Sequence, residues 1–117
     1  MKLTGSDHDL TFKYKYESSA GKGVNVYVIG IFFSPHDPIH LRSLYPTDTG
    51  IFIQHPAFEG RASWGKTFGG YPDADGNGHG THCAGTAVST PYGVAKAAHV
   101  IAVKVLSDQG SGSNSDV

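Results

Sequence analysis

The segment GNGHGTHCAGT, residues 76–86, holds two histidines and the only cysteine of the chain among four glycines. His79 and His82 are three residues apart, so one turn of a helix would place both imidazoles on one face. Zinc prefers imidazole and thiolate ligands, although the helical zinc motif H-E-x-x-H has a glutamate that is absent here. A histidine at the start of a helix can also act as a general base. Three interpretations are open: a zinc-binding module formed by His79, His82 and Cys83, a catalytic histidine, or two packed histidines.

Two neighbouring motifs have the spacing of ligand sites but lack the context that such sites need. GRASWGKT, residues 60–67, has the pattern of a phosphate-binding loop, which works only where the loop opens a helix. Two glycines and a proline follow within FGGYP, so no helix is expected there. DADGNG, residues 73–78, begins like a calcium-binding EF-hand loop, but position 12 is Ala84 instead of glutamate. We interpret DADGNG as a glycine-rich loop with solvated aspartates.

The elements that must position these residues alternate between strand and helix. Val24–Ile29 and His99–Leu106 are apolar runs rich in β-branched residues, which predicts two buried strands. A further strand is predicted within residues 61–68, and a helix over residues 79–89. Residues 1–23 are polar and predict a surface arm. The order strand, helix, strand in a chain of 117 residues predicts one α/β domain with a parallel sheet.

Composition excludes several classes of partner. The formal net charge is −1 without a basic block, so neither nucleic acid nor an anionic membrane surface is expected as a partner. No apolar run approaches the length of a membrane span, and the polar N-terminus predicts no signal peptide within this chain. A single cysteine cannot form an internal disulfide.

Three segments taken together carry a family resemblance. DTG at residues 48–50, HGTHCAGT at residues 79–86 and the stretch from residue 93 to residue 117 occur in this order. The combination closely resembles the subtilase family of serine proteases, in particular its proteinase K-like branch. The resemblance implies a three-layer α/β fold, with a mainly parallel sheet flanked by helices. Residues 1–117 would form the N-terminal part of that peptidase domain, and the fold would be incomplete.

The resemblance also implies an activity and the residues that perform it. The family hydrolyses peptide bonds of protein substrates with an Asp-His-Ser triad, in that chain order. By this resemblance Asp48 orients the imidazole and His79, at a helix N-terminus, is the general base. His82 would be a buried structural histidine one turn later, and Cys83 a packed thiol close to His79.

A substrate-binding segment follows from the same resemblance. Gly110, Ser111 and Gly112 would form an edge that pairs with an extended substrate backbone, and Leu106 would line a side-chain pocket. The complete enzyme is expected outside the cell and as a monomer. No cofactor is expected in this chain, while calcium would stabilise the complete domain through ligands not assigned here.

The chain departs from the family pattern in two places. The serine motif GTSMA does not occur in it, so the 117 residues alone are expected to be inactive. A truncated product without catalytic function and the zinc-binding module are the alternatives.

The second departure is an atypical insertion at residues 30–47, where Gly30 stands in the slot expected for the aspartate. The insertion spans 18 residues, or 54 bases at three per codon, and so keeps the reading frame. We interpret it as a translated intron, whose removal would place Asp48 directly after Ile29. A genuine surface loop is the alternative.

Overall fold

The computed structural model describes residues 15–29, 49–113 and 115. The described elements are three strands, β1 (Asn25–Ile29), β2 (Ala62–Thr67) and β3 (His99–Lys104), and one helix, α1 (His79–Val88). A single 3-10 turn at Pro56–Phe58 precedes β2. The insertion at residues 30–47 and most of the predicted surface arm lie outside the described residues.

The three strands form one parallel sheet in the order β1-β3-β2, so the last strand in the chain lies in the middle. Asn25 pairs with His99 and Ile29 with Val103, while Ala62 pairs with Val100. The helix α1 lies between β2 and β3 in sequence, as a parallel crossover requires. The predicted parallel α/β class is confirmed, and all three strands present their carboxyl ends at the same edge.

One face of the sheet is covered by α1. Side chains of β3 alternate, and those of Val100, Ala102 and Lys104 are fully buried. The helix contributes Ala84 and Val88 to the same core, both without exposed surface. The buried core cluster consists of Ile51, Phe58, Ala84, Val88, Ala98, Val100 and Ala102. Glycine, threonine and valine are mediocre helix formers, so this packing stabilises α1.

The other face of the sheet has no covering layer among the described residues. Tyr27 and Ile29 of β1 are 58% and 51% exposed, and they pair with Ile101 and Val103, which are partly exposed. The prediction of a buried first strand is therefore wrong for one of its faces. The physical reason is that a parallel strand is buried on both faces only when helices cover both.

The guanidinium group of Arg61 joins the end of α1 to the sheet through hydrogen bonds. Nη1 of Arg61 donates to the carbonyl oxygens of Val88 at 3.0 Å and Ala98 at 2.8 Å. Nη2 of Arg61 donates to the hydroxyl of Thr90 at 3.0 Å. The last turn of α1 and the approach to β3 are thereby held together.

The segment GRASWGKT forms β2 instead of a loop before a helix. Its lysine and threonine, Lys66 and Thr67, are strand residues. The amides of a helix start, which a phosphate-binding loop needs, are therefore not present at this segment. Across the part of the chain that the structure describes, no helix has the length and apolar character to cross a membrane.

Candidate functional site

The carboxyl edge of the sheet brings together segments that are distant in sequence. Lys104, the last residue of β3, is fully buried, and its Nζ donates to the carbonyl oxygen of Thr49. The same ammonium donates to Oδ1 of Asp108 at 2.9 Å. Because Ile29 pairs with Val103, the residue before Lys104, Thr49 reaches the sheet at the edge where β1 also ends. This is the edge where open parallel sheets place their sites.

The glycine of DTG is required by its surroundings. Gly50 has φ of 111°, a left-handed conformation that side chains rarely adopt. A Cβ at Gly50 would lie 2.7 Å from the indole of Trp64 and 2.9 Å from the carbonyl oxygen of Ala74. The absence of a side chain therefore lets the chain turn inward, and the next residue, Ile51, is buried in the core.

One carboxylate, that of Asp75, joins this segment to the start of α1. Its Oδ1 accepts from the hydroxyl of Thr49 at 2.7 Å and from the backbone amides of Gly78 at 2.8 Å and Asn77 at 3.2 Å. Its Oδ2 accepts from the backbone amide of Thr81 at 3.0 Å and from the Thr81 hydroxyl. Asp75 therefore supplies the cap that the Gly78 N-cap cannot provide through a side chain.

His79 is the first residue of α1, as the sequence predicted. The preceding Gly78 has φ of 94° and marks the sharp entry into the helix. The sulfur of Cys83, one turn later, lies 3.6 Å from Nδ1 and 3.7 Å from Nε2 of the half-buried imidazole. The expected proximity of the thiol to His79 is confirmed. The sulfur contacts the ring without favouring either nitrogen.

The predicted orienting carboxylate, Asp48, lies outside the described residues. Its chain neighbour Thr49 is placed at the carboxyl edge and is fully buried. The role of Asp48 therefore stays a prediction.

The expectation that His82 is buried is wrong. His82 is exposed, whereas Ala84 is fully buried against the sheet. Two residues correspond to about 200° around an α-helix, so His82 lies on the opposite side from Ala84. His82 lines an open groove of about 290 Å³, together with His55, Phe58, Thr86 and Tyr92.

The zinc interpretation needs at least three converging ligands. His79 and Cys83 are in contact, and His82 lies in the groove instead. Within residues 15–29, 49–113 and 115, no group of three or more histidine, cysteine, aspartate or glutamate side chains could hold a metal ion. The zinc module therefore has no set of ligands in the described part of the chain.

The predicted substrate-binding residues lie just beyond β3. Leu106 is fully buried, while Ser111 is exposed. The amide of Ser107 donates to the carbonyl oxygen of Ser111 at 2.8 Å. The amide of Gly110 donates to the carbonyl oxygen of Ser107 at 2.9 Å. These bonds close a turn that includes Gly110 and Ser111 and leads into Gly112. The roles of all four predicted residues in substrate binding stay predictions.

Sequence reasoning missed the function of Asp75. The prediction of solvated aspartates holds for Asp73, which is exposed and accepts from the hydroxyl of Thr67. Asp75 is partly buried and accepts five hydrogen bonds instead. The signal that could have revealed it is an aspartate shortly before a helix start that has glycine at its N-cap.

Both carboxylates of the site favour the ionised form. Partial burial opposes ionisation of Asp75, but hydrogen bonds from Thr81, Thr49 and backbone amides outweigh it and hold the pKa of Asp75 below its ordinary value. The hydrogen bond from Lys104 holds the pKa of Asp108 below its ordinary value as well. Among the described residues, the carboxyl edge therefore has two ionised carboxylates, Asp75 and Asp108, and Asp108 is paired with the buried ammonium of Lys104.

Comparison with known protein families places this geometry in context. The model of the subtilase family matches residues 47–117. The chain is 49% identical to Subtilisin-like protease 2 of Pseudogymnoascus destructans over 117 residues, which cover 99% of this chain and 24% of that protein. It is 53% identical to Subtilisin-like serine protease Cla h 9.0101 of Davidiella tassiana over 106 residues, covering 90% of this chain and 17% of that protein.

A solved structure is similar over nearly the whole chain. The crystal structure of a cold adapted subtilisin-like serine proteinase matches with a TM-score of 0.71 and 34% identity. The match covers 98% of this chain and 36% of the other. The chain thus spans about a quarter of the length of the first curated relative and about a third of the solved chain.

Proposed function

Because the chain belongs to the subtilase family, we propose that it forms the N-terminal part of a serine endopeptidase domain that hydrolyses peptide bonds of protein substrates. The observation that carries the proposal is the position of His79. It opens α1 at the carboxyl edge of a parallel sheet, and Asp75 ties the first turn of that helix to Thr49. Thr49 is the residue after the candidate triad aspartate.

In this proposal His79 is the general base. It takes the proton from a serine hydroxyl as that oxygen attacks the scissile carbonyl, and then gives the proton to the leaving amine. Asp48 accepts a hydrogen bond from the imidazole and fixes its orientation. The serine belongs to the remainder of the domain, because the 117 residues contain no GTSMA motif.

The substrate would bind beside the turn after β3. Gly110, Ser111 and Gly112 would pair with an extended peptide backbone. Leu106 has no exposed surface, so it would support the adjoining side-chain pocket from beneath. The exposure of Ser111 on this turn supports an approach from solvent. Replacement of the exposed Ser111 by tryptophan would raise KM for a peptide substrate if the pairing is correct, and an unchanged KM would remove the segment from the proposal. Gly112 is unsuitable for this test, because a Cβ there would lie 2.5 Å from the carbonyl oxygen of Val105.

Location, assembly and calcium are further parts of the proposal. The complete enzyme would act outside the cell as a monomer, which detection in culture medium and light scattering would test. Calcium would stabilise the complete domain, so a chelator would lower its unfolding temperature. The described residues offer no group of three or more candidate ligand side chains, and no catalytic step involves the ion.

The test uses a chimaera in which residues 1–117 replace the matching segment of the full-length Pseudogymnoascus destructans relative. It is prepared with and without residues 30–47. We expect the chimaera to react with a fluorophosphonate probe and to cleave a chromogenic peptide. His79→Ala should abolish both signals. The matched control is His82→Ala, because His82 is an exposed histidine on the same helix and should leave cleavage intact.

The 117-residue chain alone should neither react with the probe nor cleave the peptide. Cleavage by the isolated chain that disappears in His79→Ala would contradict the assignment of the nucleophile to the missing part. One zinc ion bound per isolated chain, and lost in His82→Ala, would favour the zinc module instead.

A further inference from the structure

The carboxylate of Asp75 joins three parts of the chain through hydrogen bonds. Its five donors come from Thr49, from the loop before α1 and from the first turn of α1. The amides of Gly78 and Thr81 lie on either side of His79 in the sequence. The backbone of the candidate general base is therefore held on both sides by the same group.

A second connection between these parts passes through Thr81, whose hydroxyl is oriented by Asp75. The hydroxyl of Thr81 donates to Asp75 and accepts from the backbone amide of Phe52 at 2.9 Å. Thr49 binds Asp75 directly and Phe52 binds Thr81, so both ends of the segment 49–52 are hydrogen-bonded at the helix start. Loss of that carboxylate would release Thr49 and would leave the Thr81 hydroxyl without the acceptor that orients it.

We propose that Asp75 is a positioning residue for His79, fixing the first turn of α1 against the segment that follows Asp48. The inference rests on the proposed function, in which His79 is the general base. Asp75 makes no contact with the reacting atoms in this proposal. It acts by keeping the imidazole within reach of the groups on either side of it, and small displacements of such groups are costly for the rate.

The chemistry of the site favours aspartate over its isosteric amide. The donors divide between both carboxylate oxygens, and an anion is also favoured at a helix N-terminus. Asparagine has one oxygen, and its NH₂ group would face either the Gly78 or the Thr81 amide. The buried ammonium of Lys104 still holds the carbonyl of Thr49, so the substitution should disturb the helix start without detaching the segment.

Kinetics of the chimaera test the proposal. Asp75→Asn should lower kcat about 10- to 100-fold and leave KM within about twofold of wild type. Thr81→Val should lower kcat in the same way, whereas Thr81→Ser, which keeps the hydroxyl, should retain most of it. Asp73→Asn is the matched control, because Asp73 is an exposed carboxylate of the same loop whose hydroxyl partner is Thr67.

Titration of active sites with the fluorophosphonate probe separates positioning from folding. If Asp75→Asn only reduces the number of reactive molecules, and each reactive molecule keeps the wild-type kcat, the positioning role is refuted. A kcat within twofold of wild type refutes it as well. A lower kcat per reactive molecule in Asp75→Asn and in Thr81→Val, with kcat largely retained in Thr81→Ser, supports it.

Amide hydrogen exchange tests, independently of activity, whether Asp75 fixes the first turn of α1. Asp75→Asn should accelerate exchange at Gly78, Thr81 and residues 49–52, and Asp73→Asn should not. An inactive wild-type chimaera would overturn the proposed function, yet unchanged exchange in Asp75→Asn would still overturn the role of Asp75.

Discussion

Replacement of the buried Lys104 by methionine tests how the carboxyl edge is held together. Methionine keeps most of the aliphatic stem but removes the ammonium that donates to Thr49 and Asp108. Lys104 has no exposed surface, and among the described residues its ammonium donates to the Thr49 carbonyl and the Asp108 carboxylate. The substitution therefore isolates the polar contribution.

The magnitude follows from the exposure of each partner. Thr49 is fully buried, so its carbonyl oxygen would be left without a hydrogen-bond donor. An unsatisfied buried carbonyl lowers the free energy of unfolding by about 1–3 kcal/mol. The side chain of Asp108 is 40% exposed, so loss of its ion pair costs little in comparison, because solvent screens the charge. Relief from burying an ammonium offsets part of both costs. A net loss of about 1–3 kcal/mol in the free energy of unfolding is expected.

The assay is denaturant unfolding of the chimaera with His79→Ala, which prevents self-cleavage. Lys66→Met is the matched control, because Lys66 lies exposed in the neighbouring strand β2 and should change stability by about 0.5 kcal/mol or less. Equal stability of Lys104→Met and wild type would show that the ammonium does not hold Thr49, and the reasoning would fail.

Three other predictions concern pH, aggregation and the insertion. The pKa of Asp75 lies below its ordinary value of 3.8, so its stabilisation is complete above that pH and is lost below it; unfolding free energies between about pH 4 and pH 2 should fall more steeply in wild type than in Asp75→Asn. The isolated chain should aggregate through the uncovered face of β1, and Tyr27→Lys with Ile29→Lys should reduce light scattering; a monomeric wild-type chain with cooperative unfolding would contradict this. Spliced transcripts should lack 54 bases, from the second base of a GGT codon for Gly30 to the first base of the Asp48 codon, so that the intron begins with GT; transcripts that uniformly keep these bases would exclude an intron.

Local sequence patterns determined the elements that form this fold. Runs of β-branched residues predicted β1 and β3, and the chain order predicted a parallel sheet. The helix predicted over residues 79–89 is observed at His79–Val88. The motif around His79 also determined the family, which the comparisons confirm. These inferences succeed because they depend on neighbouring residues and on the periodicity of side chains along one element.

Tertiary structure alone decided how the site is connected. The bond from Lys104 to Thr49 joins residues 55 positions apart, and that from Thr49 to Asp75 joins residues 26 apart. The position of Asp75 shortly before the helix start is a local signal for a cap, but only the fold shows that Thr49, 26 residues away, donates to the same carboxylate. The exposure of His82 likewise depends on which side of α1 meets the sheet. Hydrogen-bond partners and burial are properties of packed segments, so they depend on how the sheet brings those segments together and could not be predicted from the sequence alone.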